Sequence, residues 1–278
     1  MPGSDGFSAI APQALHTTLI VDDFYYSVDV FSPSSAGASP EPLAVFEIQG
    51  RIRAAVEDAK TRKDRGEKPD MVGILTGDER DSWTKVSSLQ TRLMSTDDQN
   101  REKILHLSPK NRENLNSIST SLIALSLDPY TIPSVTDGDP LRSAAVDAQT
   151  RNASCGLDGA RNRWLDKAIS VMIETNGRTS LLGEHSPVDA IVPSNIVNHV
   201  LAEPFESVEV DKSALAQEGD GWKRLNWVMD EAMGKEIEAC QERNKAIIAD
   251  SDNSNLLWGE FATAWIKQNG THSVASSC

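Results

Sequence analysis

No apolar run in these 278 residues approaches the length needed to cross a membrane. Met1 to His16 lacks a basic start followed by an apolar core, so no secretory leader is expected. Cysteine is scarce: Cys155, Cys240 and Cys278 show neither a disulfide spacing nor a metal-site pattern. A disulfide framework is thereby excluded, no metal is expected, and a reduced intracellular setting, cytoplasmic by default, follows. The terminus at Cys278 forms no prenylation box and no peroxisomal tripeptide; a mitochondrial or peroxisomal address stays open. The sequons at Asn152 and Asn269 read as coincidence without a leader. Positive charge is in deficit, with 27 Lys and Arg against 41 Asp and Glu and a net charge of −14. That excess of negative charge argues against nonspecific binding to nucleic acid or to anionic membranes. There is no glycine-rich phosphate loop, no internal repeat and no basic patch interleaved with aromatics, so dinucleotide and nucleic-acid readings have no support.

What the chain does contain is an alternation of short apolar runs and helical patterns. Residues 1–16 are small and polar, a disordered N-terminus. Thr17 to Phe31 reads as one or two strands joined at Asp22-Asp23, and Ser32 to Pro42 as a surface loop. Leu43 to Thr61 has Val45, Phe46, Ile48, Ile52, Ala55, Val56 and Ala59 near helical spacing. Met71 to Leu75 is a short apolar run, read as a buried strand, and Thr76-Gly77-Asp78 offers the N-cap of a helix from Glu79 to Met94. Pro129 to Gly159 is polar and loop-like, with Asp137-Gly138-Asp139-Pro140 its strongest turn signal. Asn195 to Ala202 reads as a helix on which His199 is an ordinary residue. Trp222 to Ala249 is the longest helical pattern, striped by Trp222, Leu225, Met229, Met233, Ile237, Cys240 and Ile247. The tail 268–278 is polar.

One stretch organises the rest, Arg163 to Ala190. Leu165, Ile169, Val171 and Ile173 alternate at period two, the pattern of a half-buried strand. Asn176-Gly177 tolerates the positive φ of a tight hairpin turn. A second run, Thr179 to Leu182, then presents Gly183, Glu184 and His185 at its end, with Asp189 four residues on. A histidine held at a strand terminus, with an ordinary pKa of about 6.5, suits a general base that both accepts and returns a proton.

The string Asn162-Arg163-Trp164-Leu165-Asp166-Lys167, the Asn-Gly hairpin, and Glu184-His185-Ser186 with Asp189 together resemble the choline/carnitine acyltransferase family. The wider chloramphenicol-acetyltransferase-like group shares its His-x-x-x-Asp arrangement. Gly73-Ile74-Leu75-Thr76 with Arg80 to Trp83 is similar to a second family block, and Asn111 to Asp128 to a third. Trp258-Gly259 to Ile266-Lys267 resembles a fourth. The likeness runs from about Thr17 to Lys267. It implies an α/β fold, a mixed sheet flanked by helices, forming the chloramphenicol-acetyltransferase-like half of a two-domain acyltransferase.

The resemblance also implies direct acyl transfer between coenzyme A and the hydroxyl of carnitine or a similar alcohol, with His185 as catalytic base. Acyl-coenzyme A is then a substrate, and no permanently bound cofactor is implied. Asp189 either orients the imidazole or, the reading preferred, makes a structural salt bridge to an arginine; Glu184 either faces solvent or supports the site. Family members place the histidine in a tunnel between two similar domains, the second carrying most contacts to coenzyme A and a Ser-Thr-Ser motif. Ser119-Thr120-Ser121 precedes the histidine inside a helical pattern and reads as ordinary helix. Pro187 and Ala190 stand where the family often has other residues, and Pro187 fixes its own φ in the loop carrying Asp189. Two readings stand side by side. One is a carnitine/choline-type acyltransferase, acting alone or completed by self-association or another chain. The other is a truncated or non-catalytic fragment, a pseudoenzyme acting as an interaction module.

Overall fold

Asp22 and Asp23 both adopt left-handed φ, 50° and 63°, the combination a two-residue hairpin requires to match strand twist. They join β1 (His16–Val21) to β2 (Phe24–Asp29) in full antiparallel register. The computed structural model describes residues 14–32, 39–78, 100–132, 143–185, 187–204, 216–252, 255, 265 and 268–269. The helix expected over Glu79 to Met94, the turn at Asp137 to Pro140, most of the terminal segments and the Trp258 to Lys267 element except Trp265 lie outside the described residues. After the hairpin come α1 (Val45–Asp64), a 3₁₀ helix (Val72–Gly77), α2 (Asn100–Leu107), α3 (Pro109–Thr120) and β3 (Ala124–Leu127). Then follow α4 (Ser143–Cys155), β4 (Ile169–Ile173), β5 (Thr179–Gly183), α5 (Ile191–Ala202), β6 (Trp222–Arg224) and α6 (Glu231–Asp250).

The strands form one mixed sheet in the order β5-β4-β3-β1-β2-β6, parallel at the centre and antiparallel towards both edges. This is the α/β architecture, a mixed sheet flanked by helices, that the sequence implies. Alternation sends Leu19 and Val21 to one face and Ile20 to the other, and each face has its own core. One core joins β2 and β6 to the small face of α1, where Gly50, Ala54, Ala55 and Ala59 allow close approach. The other gathers the 3₁₀ helix, α2, α3 and α6 around Tyr25, Trp164 and Trp227. Tyr25 meets both indoles edge-on at 5.9 and 6.1 Å, and the indoles stack at 6.2 Å, geometries aromatic quadrupoles favour.

Five expectations are corrected. Met71 to Leu75 is no strand: a buried apolar run of this length fits either element, and the backbone here is recruited elsewhere. The Gly73 N–H donates to the Tyr25 hydroxyl at 2.7 Å and the Thr76 hydroxyl donates to Gly73 O at 2.6 Å. A Cβ on Gly73 would fall 2.1 Å from Arg163 O, so only glycine fits. Residues within Pro129 to Gly159 form α4, an alanine-rich helix anchored by the buried polar Asn152 rather than by an apolar stripe. The long pattern from Trp222 begins as edge strand β6 on β2, and helix α6 starts only at Glu231, where Asp230 accepts the Met233 N–H. In β4 the fully buried positions are Ser170 and Met172, with Ile169, Val171 and Ile173 half-buried. Helices cover both sheet faces, so β-branched residues do not mark the inner one. On α1 the predicted stripe also overreaches, since Val45 and Phe46 are exposed.

Lys167 opens β4 with a buried ammonium whose Nζ donates to the carbonyls of Ile118 (2.8 Å), Ser119 (3.0 Å) and Ser121 at the C-terminal end of α3. The negative end of the helix dipole favours a cation there. Burial nevertheless pushes its pKa down to about 8. The unfolded chain therefore holds this proton up to about pH 10.5 while the native chain sheds it from about pH 8. Stability from this group rises with pH across that window, by about 3 kcal/mol in total. Buried Cys240, with its thiol pushed up to about 12, works in the opposite direction above its ordinary value of 9.0. Urea unfolding of the wild type and Lys167→Met at pH 7 and pH 10 isolates the effect. The deficit of the variant is expected to be larger at pH 10.

Candidate functional site

The β4–β5 hairpin carries the candidate histidine. Its loop holds Thr175, Asn176 and Gly177, with Gly177 alone among them at positive φ (83°). The Gly177 N–H donates to Glu174 O and the Glu174 N–H to Arg178 O, both at 2.9 Å. This is a three-residue connection closed by a left-handed glycine rather than the two-residue turn the dipeptide suggested. The ladder ends where the Glu184 N–H donates to Ala168 O at 3.1 Å. His185 is the next residue, exposed, and among the described residues its ring has no hydrogen-bond partner.

Beyond it the Val188 N–H donates to Glu184 O at 3.2 Å, closing one turn over half-buried Glu184. Asp189 is exposed and directed forward: its Oδ1 accepts the Ile191 N–H at 3.0 Å and its carbonyl accepts the Val192 N–H at 2.9 Å. An aspartate bonding its own backbone two residues on is the local geometry that starts a helix. The salt bridge to an arginine expected for Asp189 does not form among the described residues. His199, on α5, is exposed and lies 3.9 Å from Glu203. Ser119-Thr120-Ser121 closes α3: the Thr120 hydroxyl donates to Asn116 O at 2.8 Å, and the Ser121 hydroxyl accepts from Thr18 and donates to Ile118 O.

Because β5 runs against β4, His185 lies at the end of the sheet where the parallel strands begin. The opposite end, at their carboxyl termini, carries a dense polar hub that motif reading did not single out. The Arg163 guanidinium, 1% exposed, grips the Asp128 carboxylate through both oxygens at 2.7 and 2.9 Å and donates to the carbonyls of Asn152 and Asn162. Burial works against that charge, and the Asp128 carboxylate more than offsets it, holding Arg163 above its ordinary range. Asn162, at φ 58°, donates to Leu127 O and Asp128 and offers its own side-chain oxygen to the Asp23 N–H. Asn152 ties Asp128 to Glu174. A cleft of about 430 Å³ opens beside this hub, lined by Asp22, Lys63, Tyr130 and Arg161 among others. It does not include His185. The available signal was the Asn162-Arg163-Trp164 string itself, which sets a charged residue directly beside a tryptophan just before a strand. Among the described residues no group of three His, Cys, Asp or Glu could hold a metal ion, and no helix is long and apolar enough to cross a membrane.

A profile of choline/carnitine O-acyltransferases matches residues 2–275. The chain belongs to that family. It is 23% identical over 246 residues to carnitine O-acetyltransferase of Rattus norvegicus, covering 88% of this chain and 34% of the rat protein. It is 23% identical over 266 residues to choline O-acetyltransferase of Mus musculus, covering 94% of this chain and 36% of the mouse protein. A highly reducing polyketide synthase of Aspergillus luteorubrus, ltbA, is 29% identical over 130 residues, 47% of this chain and 3% of the synthase. The chain thus spans about a third of the length of the carnitine and choline acetyltransferases it matches. The string from Asn162 to Lys167 gains a physical meaning in this fold: Asn162 and Arg163 build the hub, Trp164 fills the aromatic core, and Lys167 caps α3.

Proposed function

We propose that this chain supplies the histidine-bearing half of an acyltransferase moving an acyl group between coenzyme A and the hydroxyl of carnitine, choline or a similar alcohol. The observation that carries the proposal is the place of His185, the first residue beyond the last bond of the β4–β5 ladder, on a rigid strand end with its ring open to substrate. Family membership supports it. In the forward step the imidazole takes the hydroxyl proton as the alcohol oxygen attacks the thioester carbonyl. The tetrahedral intermediate then collapses, the C–S bond breaks, and the imidazolium protonates the departing thiolate. A new C–O bond replaces the C–S bond, with no acyl-enzyme and no resident cofactor. Asp189 sets the start of α5 and through it the turn that follows the histidine.

A second reading, a non-catalytic interaction module, draws on one observation. The His185 ring has no orienting partner among the described residues, and the carboxylate four residues on is directed to a helix start. Thiol release from acyl-coenzyme A donors of several chain lengths, with carnitine or choline as acceptor, separates the two. Release that depends on the alcohol supports acyl transfer. A folded protein giving no release with any pair supports the module.

A further inference from the structure

Beyond that reading, we propose that this chain forms a twofold dimer by pairing β5 with β5 of a second copy, antiparallel and centred on Leu181, with the α5 helices buried alongside. β5 is an edge of the sheet among the described residues. Edges are commonly guarded by lysine, proline or a bulge, yet its sequence, Thr179 to Gly183, is Thr-Ser-Leu-Leu-Gly with none of these. The bonds from Glu174 to Arg178 and from Glu184 to Ala168 fix which residues face β4. Bonded pairs alternate in an antiparallel ladder, so Arg178, Ser180, Leu182 and Glu184 turn their backbone groups inward. Thr179, Leu181 and Gly183 turn theirs outward. Gln149 of α4 takes the Thr179 carbonyl at 3.0 Å; no hydrogen bond among the described residues takes the outward groups of Leu181 or Gly183.

A twofold axis at Leu181 sets Leu181 against Leu181 and Thr179 against Gly183, so outward groups meet outward groups. The same register sets Arg178 of each copy opposite Glu184 of the other, bringing opposite charges together at both ends of the strand pair. Any other occupant would have to supply that charge order; a second copy carries it already, and a self-complementary patch is what a twofold interface needs.

The adjoining helix fits the same occupant. α5 has the most apolar sequence of the described helices and no buried residue. Ile191, Val200 and Leu201 are 63%, 63% and 78% exposed. A chain of net charge −14 repels its own copies over most of its surface. Ile191 to Ala202 carries no Asp, Glu, Lys or Arg, so two copies can approach here without that repulsion. In this register Gly177 at the hairpin tip of one copy lies level with His185 of the other. The pair thus sets each hairpin tip beside the partner's histidine.

Sedimentation equilibrium of the full chain from about 1 to 100 μM, a range in which weak, transient interfaces become visible, reads the association directly. A dimer is expected. Leu181→Pro removes an outward N–H and no bond to β4, which an edge position tolerates, and is expected to raise the dissociation constant at least about tenfold with the far-ultraviolet spectrum unchanged. Arg178→Glu and Glu184→Arg are each expected to weaken the dimer several-fold, and the double swap to restore it, since a charge pair across an interface sets register. A monomer throughout, a dimer indifferent to Leu181→Pro and Arg178→Glu, or a double swap no better than either single change would overturn the proposal. Mass is read here and thiol release above, so either idea can fail without the other.

Discussion

In the thiol-release assay, His185→Ala is expected to lower the rate by about 10² to 10⁴, the range contributed by a positioned general base. The structure makes this an unusually clean substitution. His185 follows the last ladder bond, its side chain is exposed, and its ring has no hydrogen-bond partner among the described residues. Removing the ring therefore leaves the core and the sheet as they were, and stability is expected to stay within about 0.5 kcal/mol of the wild type. A matched loss of activity and of folding would mean that the histidine acts through packing, which its surroundings contradict. Asp189→Asn is the companion experiment. Asparagine keeps a side-chain oxygen for the Ile191 N–H, so the start of α5 survives and activity is expected within about twofold of the wild type. A loss comparable with that of His185→Ala would instead assign Asp189 to the imidazole.

The two hairpins and helices α1, α5 and α6 are legible in the sequence because each carries a local signal. Asp22-Asp23 and Asn176-Gly177 mark turns by their tolerance of positive φ, and both turns are observed, although the second closes through three residues. Met233, Ile237 and Cys240 announce the buried face of α6 by their spacing. The failures share one cause: they occur where non-local contacts decide. Trp222 continues a helical stripe in the sequence, yet β2 offers an unpaired edge and claims it as β6. Gly73 to Leu75 alternates with nothing, and the Tyr25 hydroxyl, 48 residues earlier, sets its backbone. α4 is invisible to hydrophobic patterning because it buries Asn152 and the small Ala153, and the partners of Asn152, namely Asp128, Tyr130 and Glu174, lie on other elements. The position of His185 was legible for the opposite reason: strand, turn, strand and histidine are consecutive. What surrounds the ring was not legible, since a loop residue such as Asp189 can serve a neighbouring helix as readily as an imidazole.

Asp128→Ala is expected to destabilise the chain by about 3–5 kcal/mol, the cost of leaving a buried charge without its partner. Asp128 accepts four hydrogen bonds, two from Arg163 and one each from Asn162 and Asn152, at 2.7 to 3.2 Å. Arg163 is 1% exposed and cannot be deprotonated at accessible pH, so its guanidinium would stay charged inside the fold. Its Nε already has no partner, which leaves little capacity to compensate. Asp22→Asn, which keeps the tolerance of left-handed φ, provides the contrast. The Lys63 it pairs with is 59% exposed, and such surface pairs contribute about 0–1 kcal/mol. The double variant Asp128→Ala/Arg163→Met removes both charges and is expected to recover part of the loss. Recovery stays incomplete because the carbonyls of Asn152 and Asn162 and the Asn162 amide lose their partners together. Urea unfolding followed by tryptophan fluorescence reads all of these, since Trp164 adjoins Arg163 and stacks on Trp227. The consequence reaches the far end of the sheet. The hub fixes α4 through Asn152, and α4 holds β5 through the bonds of Gln149 to Thr179 and Ser180. A chain that retains its helices but has lost the hub should therefore present His185 on a looser strand, and protection of the Ser180 and Leu182 amides against hydrogen exchange is expected to fall before that of β1 and β3.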